Sequence, residues 1–183
     1  KGSSNIIGDR SFSSDPKVVS KIGDLCIKYF KTNSIGTVIK HIPGHGLAKV
    51  DSHHFTPTIN KDFNYLKKRD FKTFRSKSSL FAMTAHVIFK KIDPDNTVTH
   101  SKKMIGIIRN KIKFKNLIIS DDLSMKSLKF SIIENTKKAF NAGCNLALHC
   151  NGNLKEMTFV AENSPKVSSF VLKKTSEFYK NIS

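Results

Sequence analysis

The chain has 183 residues, enough for one domain with a sizeable core, and its 38% hydrophobic and 25% charged residues are the proportions of a globular fold. No apolar run reaches the roughly eighteen residues that a membrane-spanning helix needs. The net charge of +18 raises the question of a nucleic-acid partner, but the Lys residues are spread along the chain rather than gathered in one arm or stripe, which reads as solvated Lys on outer helices.

Lys1-Gly2-Ser3-Ser4-Asn5 carries neither a starting Met nor an apolar signal region, and reads as a cut inside a longer protein. Asp15-Pro16 then opens a helix, a cap residue followed by Pro at the first helical position. Val18, Ile22, Leu25, Cys26 and Tyr29 recur on one face of it and are expected inward. Gly36-Thr37-Val38-Ile39 is a short β-branched run that ends in Lys40-His41-Ile42-Pro43-Gly44-His45-Gly46. Phe63, Leu66, Phe71 and Phe74 suggest a second helix, and Leu80 to Val87 a buried strand. Ser101 to Ile112 suits a helix with Met104, Ile105, Ile108 and Ile112 inward. Asn116-Leu117-Ile118-Ile119 is the next strand, followed by a helix to about Ala142, where Gly143 is placed as a stop. Leu146-Ala147-Leu148 reads as a strand, and the remainder as two helical pieces broken at Pro165.

Strands alternating with helices predict an α/β fold with a parallel sheet. The strands are continuous apolar runs, which predicts burial on both faces. Polar residues collect at their C-terminal ends, at Lys40-His41, His86, Asp121 and Cys150-Asn151, the end that builds active sites in such folds. No glycine-rich phosphate loop of dinucleotide or nucleotide type follows any strand, which argues against a Rossmann or NTP-binding reading. Cys26, Cys144 and Cys150 have no metal-type spacing and are expected to be buried, reduced thiols in a reducing compartment.

Asp121 emerges where a buried strand opens. Asp122 beside it cannot point the same way while strand geometry persists, so one of the two faces the site and the other caps the next helix or bonds to the backbone. By spacing alone both could be capping residues. Asp51 and His53 are two apart, so in extended backbone the carboxylate can orient the imidazole and favour its protonated form. Such a pair can give and take a proton, but it can equally be an exposed loop His beside a turn-forming Asp. His41, His45, His53 and His54 with Asp51 invite a metal reading, yet they match no HExxH or finger pattern. Pro43 to Gly46 is better read as a tight turn that holds Lys40 and His41 in place.

Through almost its whole length, and in the same order, the chain resembles the bacterial cell-wall-recycling β-N-acetylglucosaminidases of glycoside hydrolase family 3. Ile7-Gly8-Asp9-Arg10-Ser11-Phe12 is similar to that family's IGxRSF, and Lys40 to Gly46 to KHFPGHG, with Ile42 for the usual Phe. Asp51-Ser52-His53 with Pro57 resembles DSHxxLP, with Thr56 in place of Leu. Ala82 to Val87, Ile119 to Met125, and Ala142-Gly143-Cys144 with Leu146 and Cys150-Asn151 resemble the later strands. Asn145 stands where the family commonly has Asp, at a structural contact.

The resemblance implies a (β/α)8 TIM-type barrel, incomplete here because its first strands lie upstream of Lys1, with residues 1–183 forming one partial catalytic domain. It implies a retaining β-N-acetylhexosaminidase in which Asp121 is the nucleophile and His53, oriented by Asp51, the acid/base, with Arg10, Lys40 and His41 holding sugar hydroxyls. The substrate implied is a muropeptide fragment with terminal N-acetylglucosamine. The protein would be a cytoplasmic monomer without metal, organic cofactor, nucleic-acid or membrane partner. A neutral imidazole as acid/base would repel an incoming phosphate less than a carboxylate does, which keeps a phosphorylase reading open. An inactive fragment and a basic nucleic-acid-binding domain are the remaining alternatives. Phe residues at core spacing rather than on one basic surface speak against the last of these.

Overall fold

The computed structural model describes residues 8–48, 50 and 55–182. After a 3₁₀ turn at Gly8–Arg10, helix α1 (Pro16–Thr32) begins as expected, with the Asp15 carboxylate accepting from the Lys17 backbone N–H at 2.8 Å. The strands are β1 (Val38–Ile42), β2 (Thr58–Ile59), β3 (Phe81–Thr84), β4 (Ile88–Phe89), β5 (Leu117–Asp122) and β6 (Leu146–Leu148). The further helices are α2 (Phe63–Lys68), α3 (Asp70–Thr73), α4 (Lys102–Ile107), α5 (Ile132–Ala142), α6 (Leu154–Glu162) and α7 (Ser169–Ile182).

Four strands form one parallel sheet in the order β1-β3-β5-β6, and β2 and β4 form a small parallel pair of their own. Helices between successive strands are what parallel pairing demands. Ile42, Leu66, Phe71, Ala82, Phe89, Met104, Ile108, Ile118 and Leu123 belong to one buried cluster that joins the sheet to the helices. A capping box between Ser131 and Glu134 starts α5, and Gly143 stops it at φ 112°.

Several expectations are corrected. The helix expected across Phe63 to Phe74 is two short helices, broken at Arg69 (φ −118°, ψ −93°). The helix expected over Ser101 to Ile112 is α4 followed by a π turn at Ile108–Ile112, although Met104, Ile105, Ile108 and Ile112 are all buried as read. Burial on both faces does not extend to β1, where Val38 and Lys40 are exposed, because β1 is an edge strand of the described sheet.

The apolar face of α1 is only partly inward. Ile22 and Cys26 are half-buried, whereas Val18, Leu25 and Tyr29 are exposed. Instead Ile27 is buried, while Ser20 and Asp24 hold the Lys77 ammonium through Ser20 O at 3.0 Å, Ser20 Oγ at 2.7 Å and Asp24 Oδ2 at 2.7 Å. Positions 20, 24 and 27 share a helical face, so the ammonium clamp turns that face to the body and the 18/25/29 stripe away. Of the thiols, Cys144 is buried, Cys26 half-buried and Cys150 exposed, the last because β6 ends before it.

Candidate active site

The C-terminal ends of β1 and β5 carry the two side chains that meet. Strand β5 runs through the buried Leu117 and Ile118 and brings Asp121 to the rim. Strand β1 brings His41, next to an exposed Lys40. Strand β3 lies between them, so the two strands are about 9.6 Å apart at ideal spacing. Yet His41 Nε2 is 3.5 Å from Asp121 Oδ2, so both side chains lean over the end of β3. They are 18% and 15% exposed, open enough for a ligand to reach and dry enough for charge to matter.

Burial pushes the His41 imidazole down to about 4, against the upward pull of Asp121 and with the help of His45, Lys40 and His86 nearby. At neutral pH His41 is therefore uncharged, and the Asp121 carboxylate has a polar neighbour rather than a cation. The His45 ring, itself buried, lies 5.5 Å from that of His41. Two cis peptide bonds fall here, Lys40–His41 within β1 and Ile42–Pro43 at its end. Gly44 there has φ 145° and faces Asp70 so closely that a Cβ would lie 2.6 Å from the Asp70 Cβ.

The adjacent aspartates divide as their alternation predicts. The Asp122 carboxylate is consumed by structure: Oδ1 accepts from the backbone N–H groups of Ser124 and Cys150, both at 3.0 Å, and Oδ2 from the Ser124 hydroxyl at 2.7 Å. Asp121 Oδ1 accepts from the Asp122 N–H at 2.9 Å, which leaves Oδ2 facing His41 and the opening.

Asp51 and His53 lie outside the described residues. The chain just after them is fastened near the site, since the Thr56 hydroxyl donates to the Ser127 carbonyl at 2.7 Å, in the loop that follows Asp121. Thr56, which departs from the Leu of the resemblance, thus makes a bond that Leu has no group to make. Arg10 is exposed in the Gly8–Arg10 turn. Among the described residues no group of three or more His, Cys, Asp or Glu is placed to hold a metal ion, and no helix is long and apolar enough to cross a membrane. Sequence reasoning passed over Thr99, whose hydroxyl meets the buried His86; in the mostly polar run Asn96-Thr97-Val98-Thr99-His100-Ser101 nothing marks it out.

The chain matches the family model described as glycosyl hydrolase family 3 N terminal domain over residues 1–172. It is 35% identical over 153 residues to a beta-hexosaminidase of Nitrosomonas eutropha, covering 81% of this chain and 44% of that protein. It is 37% identical over 151 residues to a beta-hexosaminidase of Actinobacillus pleuropneumoniae serotype 5b, covering 79% and 44%. The crystal structure of NagZ from Neisseria gonorrhoeae in complex with N-trifluoroacetyl-D-glucosamine is similar at a TM-score of 0.84 and 25% identity, over 99% of this chain and 55% of that one. The chain thus spans about half the length of the proteins it matches, and its open parallel sheet with helices is that of an incomplete TIM-type barrel.

Proposed function

Because the chain belongs to glycosyl hydrolase family 3, we propose that it supplies the reacting groups of a retaining β-N-acetylhexosaminidase, which removes terminal N-acetylglucosamine from muropeptide fragments through a glycosyl ester on Asp121. The observation that carries this reading is the Asp121 carboxylate at the end of β5, with one oxygen held by backbone and the other open beside an uncharged His41.

In the first step Oδ2 of Asp121 attacks the anomeric carbon while an acid protonates the departing oxygen. A cationic His41 would pair with that carboxylate and oppose the positive charge that develops on the sugar ring; an imidazole kept neutral does neither. His53, oriented by Asp51, serves as the acid and then as the base that activates water. The Thr56–Ser127 bond supports this assignment, because it keeps the chain that leaves His53 beside the loop that leaves Asp121. Arg10, Lys40 and His41 hold the sugar hydroxyls. Residues 1–183 act as part of one catalytic domain of a cytoplasmic monomer, with neither metal nor nucleic acid involved.

The test uses the complete gene product and a chromogenic N-acetylglucosaminide. Asp121→Ala is expected to lose nearly all turnover with its fold intact, and a slow substrate should leave a glycosyl adduct on the peptide that contains Asp121. A variant near the native rate, or an adduct elsewhere, would remove Asp121 as nucleophile. Sugar 1-phosphate formed in phosphate buffer would reassign the second step to phosphorolysis.

A further inference from the structure

Beneath Asp121 and Asp122 runs a buried polar chain that the reaction above leaves unused. His86, in the loop between β3 and β4, is 0% exposed. Its Nε2 lies 3.0 Å from the Asp122 carbonyl oxygen and its Nδ1 2.7 Å from Thr99 Oγ1, which in turn is 2.8 Å from Thr84 Oγ1. Thr84 and Thr99 are fully buried as well.

Every proton in this chain can be placed. A carbonyl oxygen only accepts, so His86 Nε2 carries a hydrogen. Burial drives the His86 pKa down, so the ring is neutral and Nδ1 is bare. Nδ1 then accepts the one proton of the Thr99 hydroxyl, whose oxygen can only accept from Thr84. The opposite tautomer would set a ring lone pair against the carbonyl oxygen of Asp122.

The far end of the chain bears on the nucleophile. The backbone of Asp122 is held on one side by His86, through its carbonyl, and on the other gives its N–H to Asp121 Oδ1 at 2.9 Å. Movement of residue 122 therefore shifts a hydrogen-bond donor of the Asp121 carboxylate.

We propose that His86 is a positioning residue for the reaction: held as the Nε2–H tautomer by the Asp122 carbonyl, and fixed in place by the Thr99 hydroxyl that donates to its Nδ1, it clamps the Asp122 backbone and thereby aims Asp121. This rests on the reading of Asp121 as nucleophile. The relay differs from a packed core histidine in having a direction, from Thr84 through Thr99 and His86 to Asp122. Satisfied networks of this kind fix a single arrangement.

Three measurements on the complete gene product test it. Nitrogen-15 NMR of the labelled imidazoles is expected to show His86 protonated at Nε2 and bare at Nδ1; the reverse overturns the relay. Thr99→Val is expected to lower kcat about tenfold with KM within about twofold, and Thr99→Ser, which keeps the donor, to stay near native. Equal kcat in the two variants overturns the proposal. A folded His86→Phe is expected to lose about a hundredfold in kcat, since small misplacements of reacting groups cost that much, and His86→Gln to recover part of it; a folded Phe variant at the native rate overturns the proposal. Should the Phe variant not fold, the Thr99 pair decides. The tautomer is independent of the identity of the nucleophile, whereas Asp121→Asn at the native rate would sink the nucleophile reading alone.

Discussion

His41 Nε2 stands 3.5 Å from Asp121 Oδ2 across an intervening strand, and in that contact burial outweighs attraction. The carboxylate pulls the imidazole pKa up, but burial leaves it at about 4. His100, half-buried near His86 and Lys138, is likewise pushed down to about 4 by loss of solvent. A histidine whose folded pKa lies below its unfolded value of 6.5 costs nothing above that pH. As pH falls from 6.5 towards 4, the unfolded chain takes up the proton first and stability is lost. The loss approaches about 3 kcal/mol for His41 once pH reaches the folded value. Urea unfolding at about pH 7 and about pH 4.5 should show the drop. His41→Gln and His100→Gln should each reduce it, and an unchanged drop in both would contradict the burial assignment.

Asp121 and Asp122 are neighbours with opposite duties, and substitution should separate them. Asp122→Ala removes the acceptor of the Ser124 and Cys150 N–H groups and of the Ser124 hydroxyl. With charge-assisted bonds lost and the Ser124 groups left half-buried, about 2 kcal/mol of stability should go, the exposed Cys150 N–H turning to water instead. Asp122→Asn keeps one acceptor and should cost about half as much. Asp121→Ala removes the bond from the adjacent N–H and the 3.5 Å contact with an uncharged His41, and should move the thermal midpoint little, while turnover disappears. Paired thermal melts and rates would show whether the two effects fall on different residues.

Which parts of this were legible follows from what a linear pattern can carry. The Leu117-Ile118-Ile119 run followed by two aspartates marks a buried strand that opens onto a polar end, and the pleat divides the carboxylates; both are local facts. The meeting of His41 with Asp121 depends on strand order, which spacing does not encode. His86 is visible as a polar residue at a strand end, but its partners arrive from the turn before α4 and from β5. In α1 the periodicity finds an apolar stripe at Val18, Leu25 and Tyr29 but not its neighbour; a distant Lys77 that needs Ser20 and Asp24 decides which face turns inward. Cys150 looks buried as the end of an apolar run and is exposed because β6 stops at Leu148.

Gly44 offers a test of the turn that carries His41 and His45. Its φ of 145° is disfavoured for any side chain, and a Cβ would lie 2.6 Å from Asp70 Cβ and 2.9 Å from Asp70 Oδ1. Asp70 is half-buried in α3, and its Cβ, the nearest atom, is fixed to that helix and cannot withdraw by a side-chain rotation. Gly44→Ala should therefore destabilise by about 2–3 kcal/mol through combined strain and overlap. Adding Asp70→Gly should recover the overlap part and leave the strain. Additive losses in the double variant, measured by urea unfolding, would show that the close approach to Asp70 carries no energy.

Asn145 and Arg109 yield a stabilising prediction. Arg109 is partly buried, its pKa lowered by that burial, and it donates through Nη1 to the carbonyls of Phe114 at 3.0 Å and Asn116 at 2.5 Å. Through Nη2 it donates to Asn145 Oδ1 at 2.7 Å, and the same oxygen accepts the Ile118 N–H at 2.9 Å. Asn145 thus ties the start of β5 to the start of β6, although it lacks the charge that an Asp would bring. All the hydrogen bonds of Arg109 named here go to neutral oxygens, while the guanidinium has already lost part of its hydration. Asn145→Asp keeps both acceptances with nearly the same shape and adds the missing negative charge. It should stabilise by about 1–2 kcal/mol near neutral pH, less than the full strength of a charged bond because the carboxylate must also be desolvated. Beside Arg109 the new carboxyl would have a depressed folded pKa, so the gain is present above the unfolded value and lost as pH falls through the folded one. Asn145→Ala should instead cost about 2–3 kcal/mol by orphaning the Ile118 N–H and one arm of the guanidinium. Thermal midpoints that rank Asp above Asn above Ala at about pH 7, with the Asp advantage gone at about pH 3, are the expected result. An Asp variant no more stable than the native chain at neutral pH would show that Arg109 gains nothing from a formal counter-charge.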